Sequence, residues 1–488
     1  MRRSISALTE KEFDLIVVGG GIFGACAAWD AALRGMSVAL VERGDFCEAT
    51  SANHFKIIHG GIRYLQHGDI YRIRESSRER SALLRIAPHL TKPLPIAIPT
   101  YGHGLQGKEL LKIGMSLFDL LTFDRNQHVR DLGQHIPSSW FMSREECLNS
   151  FPGLDQNGLT GAGIFCDGQI YNPPRLALSF IQSAVERGAV AGNYMEVEKF
   201  LHSHGQVSGV EVRDHFDGSA FSIRGKIVLN ATGPWAQWLL KTLPHSFFHR
   251  EFSFSRDAYF VVRRPLVENY ALTVAARTKD PDAVFSRGNR HLFLVPWRNY
   301  TLVGVWHVVH NEKPDNFSVS EEELTAFLDE VNSVCPWADL SLHDVSKWNA
   351  GLVLFGENKP GETDLSFGKR SQLIDHEQEN NCKGLISLIG VRATTARGVA
   401  EKAVDLVVRK LGKTFGASQT ASTPIFGGQM ECFDEFMKEI TRNRPSDISP
   451  SIIQTLGNNY GTNWEAVLKY SEEDSMFSKP LGASDVLK

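Results

Sequence analysis

The sequence predicts an α/β chain with a Rossmann-like nucleotide-binding domain, a second domain of antiparallel sheet and a short C-terminal helical segment. Three observations predict it. An apolar run near the N-terminus, Leu15-Ile16-Val17-Val18, enters a glycine-rich turn, a helix of small residues and a second apolar run that ends on an acid. A further strand-like run, Lys226 to Trp235 (KIVLNATGPW), ends in a small-residue turn much later in the chain. Between residues 250 and 375 the apolar residues alternate in strand fashion, as in Tyr259-Phe260-Val261-Val262, His291 to Val295 and Thr301 to Val305.

The stretch Phe13 to Glu42 (FDLIVVGGGIFGACAAWDAALRGMSVALVE) reads as one βαβ unit. A continuous apolar run suits a parallel strand buried on both faces. Gly19, Gly21 and Gly24 follow it at the G-x-G-x-x-G spacing, with Ile22 and Phe23 between the last two. Gly19 permits the tight turn, Gly21 lets a pyrophosphate approach the backbone, and Gly24 lets the helix pack close to the sheet. The helix N-terminus offers free N–H groups and a positive dipole end to phosphates. Gly35 closes the helix. Ser37 to Val41 forms the next strand, and Glu42 at its end accepts hydrogen bonds from adenosine ribose hydroxyls while repelling a 2′-phosphate. The unit therefore predicts FAD or NAD rather than NADP.

Composition narrows the class. At 488 residues, two or three domains are the default. A net charge of −4 points away from nucleic acid. The seven cysteines are scattered and form no C-x-x-C, which predicts a reducing compartment and no metal site. The N-terminal MRRSISALTEKEF lacks the apolar core of a secretory signal. No apolar run approaches the ~18 residues that span a bilayer. The chain is expected to be cytoplasmic, either free or peripheral to the inner face of the cytoplasmic membrane.

Ala49 to Gly68 (ATSANHFKIIHGGIRYLQHG) is dense in Ser, Thr, Asn and Gly, with Lys56, His59 and Arg63 interleaved, and reads as a loop that holds something polar. The segment resembles the ATSS…KLIHGGLRYLEH stretch of the FAD-dependent glycerol-3-phosphate dehydrogenases and oxidases, within the D-amino-acid-oxidase-like flavoprotein superfamily. Two later segments resemble the same family: Lys226 to Trp235, as the strand that returns beside the first one in a two-segment FAD domain, and Leu385 to Asp405 (LISLIGVRATTARGVAEKAVD), as the GGKLTTYR…AE closing segment. Phe165 to Ala189 resembles the connection back into the FAD domain. The resemblance implies FAD, held by Gly19, Gly21, Ile22, Phe23, Gly24, Glu42, Arg43, Thr50, Ser51, Lys56, His59, Gly60, Gly61, Ala231, Thr232, Gly233, Gly390, Arg392, Ala393 and Thr394. The implied division is 12–95, 161–245 and 381–415 for the FAD domain, 96–160 for a helical insertion, 246–380 for the antiparallel sheet, and 423–488 for a truncated C-terminal helical domain, read as two helical patterns.

Oxidising a phosphorylated alcohol needs a hydride acceptor, a base for the hydroxyl proton and cations for the anion. The resemblance assigns Arg63, Tyr64, Arg370 and Arg392 to the substrate, and Tyr259 or His307 to proton removal, with His59 as another candidate base. Arg392 is also open to a role beside flavin N1 and O2. The substrate wall departs from the family: GVRPL reads Ala350-Gly351-Leu352-Val353-Leu354 and so lacks its arginine, GxHxVV places Tyr259 at the histidine, and GTTD reads Gly304-Val305-Trp306-His307. Glycerol 3-phosphate itself is therefore a doubtful substrate, and another small anionic alcohol fits better. The electron acceptor is a quinone or oxygen. The alternatives are an amine or amino-acid oxidase of the same superfamily, and a flavin-binding protein with little catalysis.

Two helices bear on membrane contact. Residues 69–92 read as a basic amphipathic helix (Arg72, Arg74, Arg78, Arg80, Arg85) with a solvated face. Leu105 to Phe123 has Leu110, Ile113, Leu117, Leu120 and Leu121 on one side, expected to pack into the core, with a membrane surface as the second reading. The oligomeric state leaves no mark on the sequence.

Overall fold

A computed structural model describes residues 3–104, 107–244, 252–279, 289–310, 312–315, 317–355, 370–446, 448–473 and 475–479. Leu105, the Gly356–Thr363 loop, Gly368 and Lys369, and the final residues from 480 lie outside the described residues.

Two sheets make the framework, as the sequence predicts. In the first, Glu12–Val18 sits between Val38–Val41 and Ala220–Asn230, with Val190–Gly192 beyond one and Leu385–Ile389 beyond the other. All four of these pairings are parallel, Ile16 lying opposite Ala39 and Val228. Gln372–Asp375 closes that edge antiparallel. Strands buried on both faces must be apolar throughout, and Leu15 to Val18 are buried to 4% exposure or less. The helix Ile22–Leu33 lies against one face, where its alanines allow the helices Pro173–Glu186 and Ala396–Leu411 to approach it closely.

The second sheet runs Val345–Leu354, Phe254–Val262, Tyr300–His310, Asn289–Trp297, Ala271–Lys279, Thr91–Tyr101, Leu159–Ile170 and Ile57–Ile58. Its pairings are antiparallel except where Ala271 and Leu272 run parallel to Ile96 and Ala97. The division expected between residues 95 and 96 falls inside the Thr91–Tyr101 strand. One face of the sheet is covered by the helix Glu321–Val334, with Phe327 against Phe260 and Trp306.

Three local expectations change. The basic helix spans Ile70–Ile86, and of its five arginines only Arg78 is exposed, so they form no continuous solvated face. Arg72 pairs with Asp69, Arg74 with Asp124, and Arg85 donates to the Ala421 carbonyl. Arg80 is fully buried and donates to the Cys166 carbonyl at 2.7 Å and to Asp167 at 3.1 Å. The helix Lys108–Leu121 turns its expected core side outward. It packs through Met115 and Phe118, with Leu111 and Met115 seated over Gly163, while Leu110, Ile113, Leu117 and Leu120 are 46–69% exposed. Among its described residues the C-terminal segment holds three α-helices rather than two, Phe433–Arg442, Pro450–Tyr460 and Trp464–Glu473, because a turn at Gly461–Asn463 divides the last run.

Removing Arg80 takes the buried counter-charge from the Asp167 carboxylate, which is 2% exposed. Breaking such a pair costs roughly 3–5 kcal/mol. Arg80→Ala is therefore expected to lower the urea midpoint clearly, followed by far-UV circular dichroism; an unchanged midpoint would mean the pair contributes nothing.

Candidate functional site

The glycine turn lies where the parallel strands end, at the point where the chain order reverses on either side of Glu12–Val18. Open α/β sheets bind ligands in such crevices. Gly19 has φ +105° and donates to Val41 O, and a Cβ on it would lie 2.7 Å from Ala231 O. A Cβ on Gly24 would lie 1.9 Å from Gly19 O, so only glycine lets the helix start this close to the turn. Gly21 caps that helix without a side-chain hydrogen bond, and Ser51 Oγ accepts from Ile22 N at 2.9 Å. Phe23 lies against Gly390, where a Cβ would be 1.9 Å from its ring.

Across the crevice, Ala231 N donates to Val18 O and the Thr232 hydroxyl to Asn230. Gly233, at φ +56°, opens the Gly233–Trp235 turn. Glu42 accepts from Gly20 N at 2.7 Å and from Gly44 N at 3.0 Å. Burial pushes its carboxyl above the ordinary range, opposed by those two N–H groups. Arg43 stacks on Trp235 at 4.2 Å, and both donate to Asp315. Thr50 does not reach into the crevice: its hydroxyl exchanges hydrogen bonds with Leu352, which docks the loop on the second sheet.

A second group forms around the His-Gly-Gly turn. His59 N donates to Thr394 Oγ1, beside Ala393, and His59 Nδ1 lies 3.2 Å from Asp167. Gly60 N donates to the same carboxylate at 2.6 Å, and Gly61 turns at φ +97°. Arg392 donates to Tyr64 Oη at 2.7 Å, with Ser76 Oγ at 3.4 Å and Glu75 at 3.9 Å. Arg72 lies over the Tyr64 ring.

Several expected substrate residues stand apart. Arg63 is exposed, and Arg370 sits over the exposed Tyr71 ring at 5.2 Å. Tyr259 is 1% exposed, its hydroxyl bonded to Lys56 Nζ and to the His54 carbonyl. Burial lowers Lys56 to about 7, and Lys347 and Arg298 add to that shift. His307 Nδ1 lies 2.8 Å from Asp257, which also accepts from Ser255. Val353 lies in a strand opposite Ser255, not in a turn. Sequence reasoning missed Asp167, Arg80 and Asp257. Asp167 carried the one available signal, a lone acid in an otherwise small and apolar run (LTGAGIFCDGQI), which marks a buried carboxylate.

Residues 14–405 match the family model DAO: FAD dependent oxidoreductase. The chain belongs to this family. Among its relatives, the glycerol-3-phosphate dehydrogenase of Synechocystis sp. is 31% identical over 438 residues, covering 88% of this chain and 75% of the relative. The alpha-glycerophosphate oxidase of Lactococcus lactis is 32% identical over 368 residues, covering 73% and 57%. The crystal structure of the Bacillus halodurans glycerol-3-phosphate dehydrogenase complexed with FAD superposes with a TM-score of 0.74 at 26% identity, covering 98% of this chain and 82% of that one.

The crevice suits the family's FAD. Gly19, Gly21 and Gly24 keep side chains out of the turn, and the helix end is uncapped by its own residue. Gly24→Ala is expected to leave the purified protein with at least tenfold less FAD, read as the ratio of 450 to 280 nm absorbance. Gly114→Ala serves as control, since a Cβ there meets nothing within 4 Å. Equal FAD content in the two variants would contradict this account of the turn.

Proposed function

We propose that this FAD-dependent oxidoreductase oxidises a small anionic alcohol of the glycerol-3-phosphate type. Arg392 carries the reading: its guanidinium is held by Tyr64 and Ser76, 19% exposed, two residues from Thr394 and the His59 turn. A planar fork fixed in this way binds a phosphate or carboxylate with defined orientation. The names of the relatives support the substrate class.

When bound, FAD supplies the hydride acceptor at N5. The Gly19–Gly24 turn would hold its diphosphate and Glu42 its adenosine ribose, with Ala231–Gly233, Gly390 and Ala393–Thr394 bordering it. Of the two candidate base imidazoles, each with a carboxylate at Nδ1, His59 is 47% exposed and His307 11%. Asp167 fixes the His59 tautomer with Nε2 free to accept a proton, and His59 takes the hydroxyl proton there. Tyr259 is enclosed, its hydroxyl held by Lys56 and the His54 carbonyl, which favours His59 over it as the base. Val353 in place of an arginine favours a substrate other than glycerol 3-phosphate: a phosphonate, a carboxylate or a larger phosphorylated polyol.

The outward apolar stripe of the Lys108–Leu121 helix, continued by Phe123 at 77% exposure, supports contact with a membrane surface and a quinone as acceptor in preference to oxygen. No described helix is long and apolar enough to cross a membrane.

Anaerobic mixing with a panel of phosphorylated and phosphonate alcohols is expected to bleach the 450 nm band. Arg392→Met, with FAD content unchanged, raises the half-saturating concentration about 10- to 100-fold, the loss of a charged hydrogen bond of roughly 1.5–3 kcal/mol. Failure of every anionic alcohol to bleach a flavin that dithionite still reduces would overturn the reading.

A further inference from the structure

Lys56 presents an unusual balance of charge. It is 5% exposed, and among the described residues no carboxylate lies within salt-bridge distance of it. A buried ammonium needs a counter-charge or it loses its proton. Its neighbours are instead cations. Lys56 Nζ lies 4.7 Å from the centre of the Trp297 ring and Arg298 Cζ 4.6 Å from the same ring, so the indole holds two positive groups. Lys347 adds a third close enough to disfavour the charge on Lys56.

The cluster is built rather than casual. Trp297 Nε1 donates to the Tyr171 carbonyl at 3.0 Å, Arg298 stacks on the Tyr171 ring at 4.4 Å, and the Lys56 carbonyl accepts from Ile170 N. Lys56 adopts a φ of +64°, uncommon for a long side chain, while the +57° of Arg298 belongs to the two-residue hairpin turn between Trp297 and Tyr300 that sets its side chain beside the ring. Strain such as that at Lys56 gathers at ligand sites. An ammonium has three donors, and the Tyr259 hydroxyl occupies one of those on Lys56. Arg298 and Lys347 are exposed, beside the buried Lys56.

We infer that Lys56 and Arg298, both held at the Trp297 ring, together with the neighbouring Lys347, form an anion subsite that takes a phosphate or other tetrahedral oxyanion. Where that anion is the substrate's own, the subsite rests on the proposed function and replaces the contact absent at Val353; where it is free phosphate, it stands without that reading.

Calorimetric titration of the FAD-loaded protein with inorganic phosphate, and KM for the phosphorylated alcohol that bleaches the flavin, separate these sources. Wild type is expected to bind one phosphate per chain, and the doubly substituted Arg298→Ala, Lys347→Ala protein to bind it at least tenfold more weakly, with unchanged circular dichroism and FAD absorbance. A KM raised tenfold, with kcat falling less than threefold, identifies the substrate's phosphate as the occupant. An unchanged KM with weakened phosphate binding supports the subsite with a free anion in it. Phosphate binding that is absent in wild type, or equal in the two proteins, overturns the subsite. If no alcohol bleaches the flavin, the calorimetric result still decides it.

Discussion

The close approach of two backbones at Gly19 and Ala231 is the constraint on which the rest of the site depends. The Glu12–Val18 and Ala220–Asn230 strands come from chain segments about two hundred residues apart, and their parallel register brings Val18 beside Asn230. Both strands therefore end at one level, with room for backbone but not for a Cβ between the two turns. Glycine at that contact lets the two turns close on each other, and the crevice lies beyond them at the strand ends, where a helix N-terminus offers N–H groups to phosphates. The Leu385–Ile389 strand extends the same edge and delivers Gly390, Arg392 and Thr394. Phe23 against Gly390 then ties the first and last of these segments together.

The second sheet meets this crevice through a chain of polar contacts, not through apolar packing alone. Thr50 binds Leu352, His59 binds Thr394, and Asp167 gathers His59, Gly60 and Arg80. The charge of Asp167 is balanced by the buried Arg80, and its second oxygen lies 3.2 Å from Nδ1 of the half-exposed His59. The wall bearing Tyr259 is different in kind. It is enclosed, its polar hydroxyl is matched by an amine, and cations collect behind it.

The parallel core and the glycine turn were legible because their demands are local: a strand buried on both faces must be apolar, and a turn that meets backbone must be glycine. The pairing of Lys226–Trp235 with the first strand was legible through its Ala-Thr-Gly ending. The substrate wall was not, because it depends on register. A shift between Ala258 and Tyr259 changes which residues share a face, and alternation in sequence does not reveal it. The Lys108–Leu121 helix misleads for another reason. Apolar residues occupy both of its sides, Leu111, Met115 and Phe118 inward and Leu110, Ile113, Leu117 and Leu120 outward, so periodicity does not choose the buried one. The arginines of Ile70–Ile86 look like a solvated stripe because their partners, Asp124, Cys166 and Ala421, lie far away in sequence.

The central claim is that the crevice between Gly19 and Ala231, with Glu42 at its end, holds the adenosine and diphosphate half of FAD. The most direct measurement is the binding of FAD and of FMN, which lacks the adenosine, to deflavinated protein, followed by quenching of flavin fluorescence. The account predicts one FAD per chain, bound at least a hundredfold more tightly than FMN. Equal affinity for the two flavins would contradict it.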